Sequence, residues 1–398
     1  MKILVVCQYY YPEPFRISDI CESLVEKGHD VTVLTGLPNY PEGQVLDGYR
    51  YGKKRNEVLN GVKVIRSFEI GRGNNKIKLF LNYLSFALSG SLKAFFLKEK
   101  FDVVFVNQLS PVMMGIPAIV YKRKHKKKLL LYCLDLWPDS LAAGGINETS
   151  IIFKFFMKLS QWIYNSADCI AVTSSMFEGY FRSTLRVSNK KIHYIPQYAE
   201  ELFTEKIEVN KDDKYNFVFA GNIGDMQSVD TIVRAANILR ENSNILFHIV
   251  GDGSKLEECK ILSKKMGLEN VIYHGRRPVS EMPHYYGLAD AMLITLKNNK
   301  AISYTLPGKV QSYMAAGKPI IGAINGETSR VIKNAECGLC CNAEDYSELA
   351  NLLIKFCKSN EKEKMAQNSY KYYKKNYSKE RFMSVLEGTL TNLGDKYV

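Results

Sequence analysis

Phe217-Val218-Phe219-Ala220-Gly221-Asn222-Ile223-Gly224 is the stretch that decides how this chain folds. A short run rich in aromatic and β-branched residues ends in glycines, and a helix is predicted to begin near Gln227. Strand, glycine turn and helix in that order open an α/β unit. This one opens near the middle of a 398-residue chain, so the fold starts a second time.

Working outward, the preceding residues mark a boundary. Tyr194 to Phe203 interrupts the strand rhythm, and the charged stretch Glu205 to Lys214 reads as a linker. Downstream, strands are predicted at Phe217–Ala220, Ile245–Val250, Val271–His274, Ala291–Thr295 and Pro319–Ala323. Upstream they are predicted at Lys2–Cys7, Val31–Thr35, Val62–Phe68, Asp102–Val106, Leu129–Leu134 and Asp168–Thr173, with helical segments such as Ile17–Glu26 between them. Apolar runs separated by amphipathic helices imply parallel sheets covered on both faces. The expectation is an α/β chain of two Rossmann-like, doubly wound domains, over 1–200 and 201–372, with a strandless, basic, tyrosine-rich helical segment over 373–398.

Composition is that of a globular protein, 46% hydrophobic and 24% charged. Nine cysteines without a CxxC pair favour reduced thiols and a cytoplasmic location over a disulfide framework. Met1–Cys7 is too short for a signal-peptide core. Ile77–Leu97 is long and apolar, but Lys78, Asn82 and Lys93 argue against a membrane span. The net charge of +13, densest at Lys122–Lys128, reads either as a solvated face or as a surface whose partner is an anionic membrane. Nucleic acid is disfavoured, because no helix-turn-helix, zinc-finger or aromatic RNA-binding pattern accompanies the charge. Lys76–Lys100 and Ile151–Tyr164 read either as a face that lies on a membrane or as core-facing stripes.

The loop after the first strand, Gln8 to Arg16, contains no glycine, which disfavours dinucleotide binding and weakens an oxidoreductase reading. Arg16, near a helix start, is either a phosphate contact or a surface arginine. The Gly221–Gly224 loop, by contrast, permits a tight turn at a positive helix end, where a diphosphate is the natural guest. Gly251-Asp252-Gly253-Ser254, Gly275-Arg276-Arg277-Pro278 and Thr305-Leu306-Pro307-Gly308-Lys309 lie on the same sheet edge. Lys309 falls in the first turn of a helix running to Ala316, where a cation opposes the helix dipole by roughly 0.3–1 kcal/mol; a bound anion reverses that penalty.

These segments, with Gly36-Leu37-Pro38-Asn39-Tyr40-Pro41, Asp135-Leu136-Trp137-Pro138-Asp139-Ser140 and Tyr313-Met314-Ala315-Ala316-Gly317-Lys318-Pro319-Ile320, resemble family 4 of the retaining glycosyltransferases of GT-B fold, end to end. The subgroup most similar makes bacterial surface polysaccharide (O-antigen or capsule) and includes L-fucosamine transferases. The resemblance implies two domains facing each other across a cleft, with the terminal helix over 373–398 crossing back to the first domain. It implies a nucleoside diphosphate sugar as donor, UDP-linked and carrying an N-acetylated amino sugar, and a lipid-linked saccharide as acceptor. Donor-binding roles then fall to Gly221, Asn222, Ile223, Gly224, Gly251, Asp252, Arg276, Arg277, Lys309, Ser312 and Glu327, and acceptor-side roles to Arg16, Asn39, Asp135 and Trp137. Asp135 and Lys309 are the expected catalytic pair.

Where many members carry two glutamates around the last donor helix, this chain has Tyr304 and Ser312. Asn222 and Ser228 stand near positions that often hold Arg and Lys, so Lys309 is left to carry more of the phosphate charge. With no DxD pair in the chain, departure of the diphosphate is expected to need no metal and no cofactor, only fixed cations and N–H dipoles. A sugar-nucleotide epimerase of the same fold and a non-catalytic polysaccharide-assembly scaffold are the alternatives.

Overall fold

Phe217 and Phe219 pack on one side of their strand, Val218 and Ala220 on the other, and all four are buried. A strand buried on both faces must lie inside a sheet covered by helices on both sides. The computed structural model describes residues 1–187, 191–205, 207, 209 and 213–394. Of the predicted linker, residues 206, 208 and 210–212 lie outside the described residues, as do 395–398 of the terminal segment.

The chain divides into two compact units, Met1–Ile195 together with Met383–Val398, and Pro196–Phe382. In the first unit the strands are β1 (Lys2–Val6), β2 (Asp30–Thr35), β3 (Asn56–Leu59), β4 (Val62–Arg66), β5 (Val103–Gln108), β6 (Lys128–Cys133), β7 (Cys169–Val172) and β8 (Lys191–Tyr194). They form one sheet in the order β3-β4-β2-β1-β5-β6-β7-β8. Only β3 runs antiparallel, pairing with β4. In the second unit β9 (Tyr215–Ala220), β10 (Ile245–Val250), β11 (Val271–Gly275), β12 (Ala291–Thr295), β13 (Ile320–Ala323) and β14 (Gly338–Cys341) form a parallel sheet, β11-β10-β9-β12-β13-β14.

Each predicted strand is present within a few residues. The three that the sequence reading missed, β3, β8 and β14, are all edge strands. An edge strand pairs on one side only and need not be apolar on both faces, so Asn-Glu-Val-Leu and Lys-Ile-His-Tyr carry little pattern.

Among the helices are α1 (Ile17–Glu26), α2 (Lys76–Phe96), α3 (Ile116–His125), α4 (Ile151–Ser166), α5 (Gly308–Ala315), α6 (Gly326–Asn334) and α7 (Lys379–Gly394). The terminal α7 begins on the second unit and ends on the first, where Glu387 accepts from Lys27 and His29, each at 3.0 Å. All nine cysteines are free thiols.

Candidate active site

Parallel order places the loops after β9, β10 and β11 and the starts of α5 and α6 on one carboxyl edge of the second sheet. Gly221 and Gly251 allow the first two loops to touch. A Cβ on Gly251 would collide with the Gly221 carbonyl, and both glycines adopt φ near +140°. A Cβ on Gly221 would stand 3.1 Å from the Lys309 Nζ, so the bare glycine backbone is what the lysine lies against.

The Lys309 ammonium is buried and, among the described residues, has no hydrogen-bond partner. Its nearest compensation is the Phe219 ring, whose centroid lies 3.9 Å away. Burial pushes its pKa down to about 7. One helical turn later the Tyr313 hydroxyl donates to the Ala220 carbonyl (2.9 Å) and accepts from the Ala220 N–H (3.1 Å). That double bond ties α5 to the end of β9 and fixes the lysine above the turn. The sequence reading quoted Tyr313 but gave it no role; only its spacing of four from Lys309 hints at one.

The glycine loop itself differs from expectation. The Gly221 N–H donates to Val250 O (2.9 Å) and the Ile223 N–H to Asp252 O (2.8 Å). The Gly224 N–H and the Asn222 amide both donate to Gln227 Oε1, at 3.1 and 3.0 Å. Ile223 also buries its side chain in the core. Ile223 and Gly224 are therefore not open phosphate contacts. The loop allows close approach of the Lys309 ammonium to its backbone. The residues at Asp225–Gln227 form a 3₁₀ turn, and the helix starts later, at Asp230.

The other donor-side residues differ in availability. Arg276 and Arg277 are exposed just after β11; Arg277 Nε donates to His274 O at 3.0 Å. The Asp252 carboxylate accepts from the Gly253 N–H within its own turn (2.7 Å). Ser312 is buried and its hydroxyl donates to Gly308 O (3.3 Å). Glu327, fully buried in the first turn of α6, is held by Arg330 through contacts of 2.8 to 3.0 Å. Among the described residues no three His, Cys, Asp or Glu side chains converge as a metal site would require.

In the first unit Asp135 follows β6. The Ser110 hydroxyl donates to its Oδ2 at 2.7 Å, and the Trp137 indole N–H donates to Ser110 Oγ at 2.8 Å. Burial raises the Asp135 pKa above the usual carboxylate value, which suits a group that exchanges a proton. Trp137 is itself buried, edge-on to Phe156. Its indole N–H is thus engaged with Ser110, where the sequence reading expected it on the acceptor side. Ser110, which the sequence reading did not identify, is the link between them. Arg16 stands half-buried at the N-cap of α1.

Asn39 also needs correction. It is fully buried; its Nδ2 donates to Leu37 O (2.8 Å) and its Oδ1 accepts from the Arg72 N–H (3.1 Å). It belongs to a polar network that composition gave no sign of. Glu69 accepts from Gln8 (2.7 Å), Asn82 (2.6 Å) and the Leu37 N–H (3.0 Å). Glu13 accepts the N–H groups of Tyr10, Asn39 and Tyr40 at 3.2, 2.9 and 2.8 Å. Burial raises both carboxyls, Glu13 to about 7. These carboxyls pin the loops after β1, β2 and β4 to one another.

On the flank of the same unit α2 and α4 both pack against α3. The α2 helix is long and apolar enough to cross a membrane by length and composition, with 28% of its apolar window buried. It buries one face, Asn82, Phe86, Ala87, Gly90 and Ala94, and exposes Phe80, Leu88, Leu92 and Phe96 on the other. Ile151, Ile152 and Phe155 of α4 are exposed likewise. The basic end of α3 reaches both helices: Lys124 Nζ lies 4.5 Å from the Phe95 ring and Arg123 5.3 Å from Trp162. The apolar stripes and the densest basic run thus form one surface.

Comparison with known proteins agrees with this architecture. The sequence profile described as Glycosyltransferase Family 4 matches residues 16–197, and that described as Glycosyl transferases group 1 matches 201–373. The chain is 27% identical to the probable glycosyltransferase WbjE of Pseudomonas aeruginosa, over 62% of this chain and 63% of that protein. It is 21% identical to the putative colanic acid biosynthesis glycosyl transferase WcaI of Escherichia coli, over 80% and 82%. The solved structure of Alr3699/HepE from Anabaena in complex with UDP superposes with a TM-score of 0.70 at 13% identity, over 98% of this chain and 100% of that one. With two parallel-sheet units, each matched by one of the paired profiles, the chain belongs to the glycosyltransferases of GT-B fold.

Proposed function

We propose that this protein transfers a sugar from a UDP-linked donor, with retention of configuration, to a lipid-linked saccharide during the building of bacterial surface polysaccharide. The observation that carries this reading is the buried, partnerless Lys309 ammonium above Gly221. An uncompensated buried charge costs several kcal/mol, and a departing diphosphate is the ligand that removes the cost. The anomeric carbon–oxygen bond breaks with its electron pair going to the β-phosphate oxygen. Lys309 and the positive N-terminal ends of α5 and α6 take up that charge without a metal. The acceptor oxygen bonds to the same face of the sugar, and Asp135 positions its hydroxyl or takes its proton.

UDP is favoured because HepE, similar in fold, was solved with it. The polysaccharide assignment rests on relatives such as WcaI. An N-acetylated amino sugar is the proposed cargo, from the resemblance of the motifs. The basic and apolar surface of α2, α3 and α4 supports an anionic membrane as the place where the acceptor is met, each surface lysine adding about 1 kcal/mol.

A thermal-shift screen with UDP-, GDP- and ADP-sugars tests the donor. A ligand at 100 times its Kd stabilises by about 2.7 kcal/mol, and the UDP-sugar alone should do so. Silence from all three would end the reading. Consumption of the UDP-sugar without any acceptor would indicate an epimerase instead. Sedimentation with anionic vesicles should show binding that weakens with salt; no binding at low salt removes the membrane from the proposal.

A further inference from the structure

The loops after β2 and β4 and the start of α2 line an open cavity of about 970 Å³ within the first unit, which shares only Leu37 and Glu69 with the polar network described above. Its walls divide by chemistry. Arg50, Arg55 and Lys78 supply positive charge, with Glu42 as the opposing exposed carboxylate. Arg50 is fixed in place, its Nε donating to Val45 O (2.7 Å) and its Nη1 paired with Asp47 (2.7 Å). Arg55 Nη1 donates to Ser67 O (3.2 Å), and burial together with neighbouring Arg66 lowers its pKa. Lys78 is exposed in the first turn of α2, whose helix dipole a cation there opposes and a bound anion would complement. The two loops are joined by Gly73 N–H donating to Gly43 O at 2.7 Å, so the cavity wall is a built surface.

Apolar side chains on the wall include Phe68, Ile70 and Leu81. From Leu81 the exposed residues of α2 continue at Leu88, Leu92 and Phe95, spacings of seven, four and three that keep to one helix face. The Phe68 carbonyl accepts from Ser89, and the Ile70 N–H donates to Ser85, so the segment after β4 runs beside this stripe. A cationic chamber therefore opens onto an apolar track that belongs to the surface proposed to lie on a membrane. Neither a free saccharide nor a plain lipid uses both halves. An amphiphile with a phosphate or diphosphate head and a hydrocarbon tail does. We propose that this cavity seats the phosphate head and the first hydrocarbon units of the lipid carrier of the acceptor. The proposal rests on the lipid-linked-acceptor reading and adds a site to it.

Binding of farnesyl diphosphate to the full-length chain, below its micelle concentration, tests it by calorimetry beside two controls, farnesol and inorganic pyrophosphate. Farnesyl diphosphate should bind at least about tenfold more tightly than either control. Lys78→Ala and Arg55→Ala should each weaken it by about tenfold or more, as loss of a charge-assisted contact does. Leu81→Ser should weaken farnesyl diphosphate and leave pyrophosphate unchanged. Pyrophosphate binding as tightly as farnesyl diphosphate would mean a free-phosphate site and would overturn the proposal. So would indifference of farnesyl diphosphate to both basic substitutions, or no binding at all. Thermal shift by the UDP-sugar, measured on the same preparations, separates the two readings. If it persists while farnesyl diphosphate fails, the cavity alone is misassigned; if it is absent while farnesyl diphosphate binds as described, the donor reading falls and the cavity stands.

Discussion

Lys309 and Glu69 are both ionisable side chains removed from water, one in each unit, and their surroundings are opposite. Glu69 has three hydrogen-bond donors directed at its two oxygens. Lys309 has an aromatic face and, among the described residues, no hydrogen-bond partner. Burial alone moves both pKa values toward the neutral form. What distinguishes them is whether the fold has already answered the charge. A buried polar group with all its partners supports a structure, while one without partners is held ready for a molecule that brings them.

The largest effect that would break this comparison is on turnover. Lys309→Met should lower nucleotide release by on the order of 10²-fold or more, as loss of an oxyanion-hole donor does. In the ligand-free protein it should raise the unfolding free energy in denaturant by about 1–3 kcal/mol. The sign follows from linkage. The folded pKa of about 7 lies below the ordinary 10.5, so the unfolded chain holds the proton more tightly. Stability is lost as pH falls from 10.5 to 7, and the penalty is complete below 7. The gain should therefore be greatest near pH 6 and fade by pH 10; a loss of stability at pH 6 would mean that Lys309 has a structural partner.

Glu69→Ala should do the reverse. It strands the amides of Gln8 and Asn82 and the Leu37 N–H, and should cost about 2–3 kcal/mol of stability. UDP-sugar affinity should stay as it was; a stability change within 0.5 kcal/mol or so, the usual range for a surface substitution, would undo the contrast. A smaller effect concerns pH and ligand together. A diphosphate favours the charged lysine, so UDP-sugar affinity should fall as pH rises through 7, by up to about tenfold per unit. Titration calorimetry from pH 6 to 9 reads this directly, and a flat profile would show that the lysine never titrates. The smallest is Tyr313→Phe, which removes both bonds to Ala220 and should cost about 1 kcal/mol, with a fall in turnover because Lys309 loses its anchor. Unchanged turnover would free the lysine from that dependence.

Much of this protein was legible in the chain itself. Two runs of doubly apolar strands separated by helices determined two parallel sheets, because only a strand covered on both faces reads that way. Gly221 and Lys309 were identifiable for a similar reason: a glycine turn after a strand and a cation at a helix start are local features with local causes. Tertiary structure decided the rest. Ile223 and Gly224 have their amides spent on Asp252 and Gln227, which only the packing of adjacent loops reveals. Asn39 and Trp137 face inward, and the Ser110 link and the Glu13–Glu69 network join residues far apart in sequence. That the last helix ends against Lys27 and His29 could not be read from residue pattern, since an amphipathic helix shows which face it buries but not against what; only the family resemblance implied a return to the first unit. Hydrophobic period is written residue by residue; the partner of a polar group is written only in space.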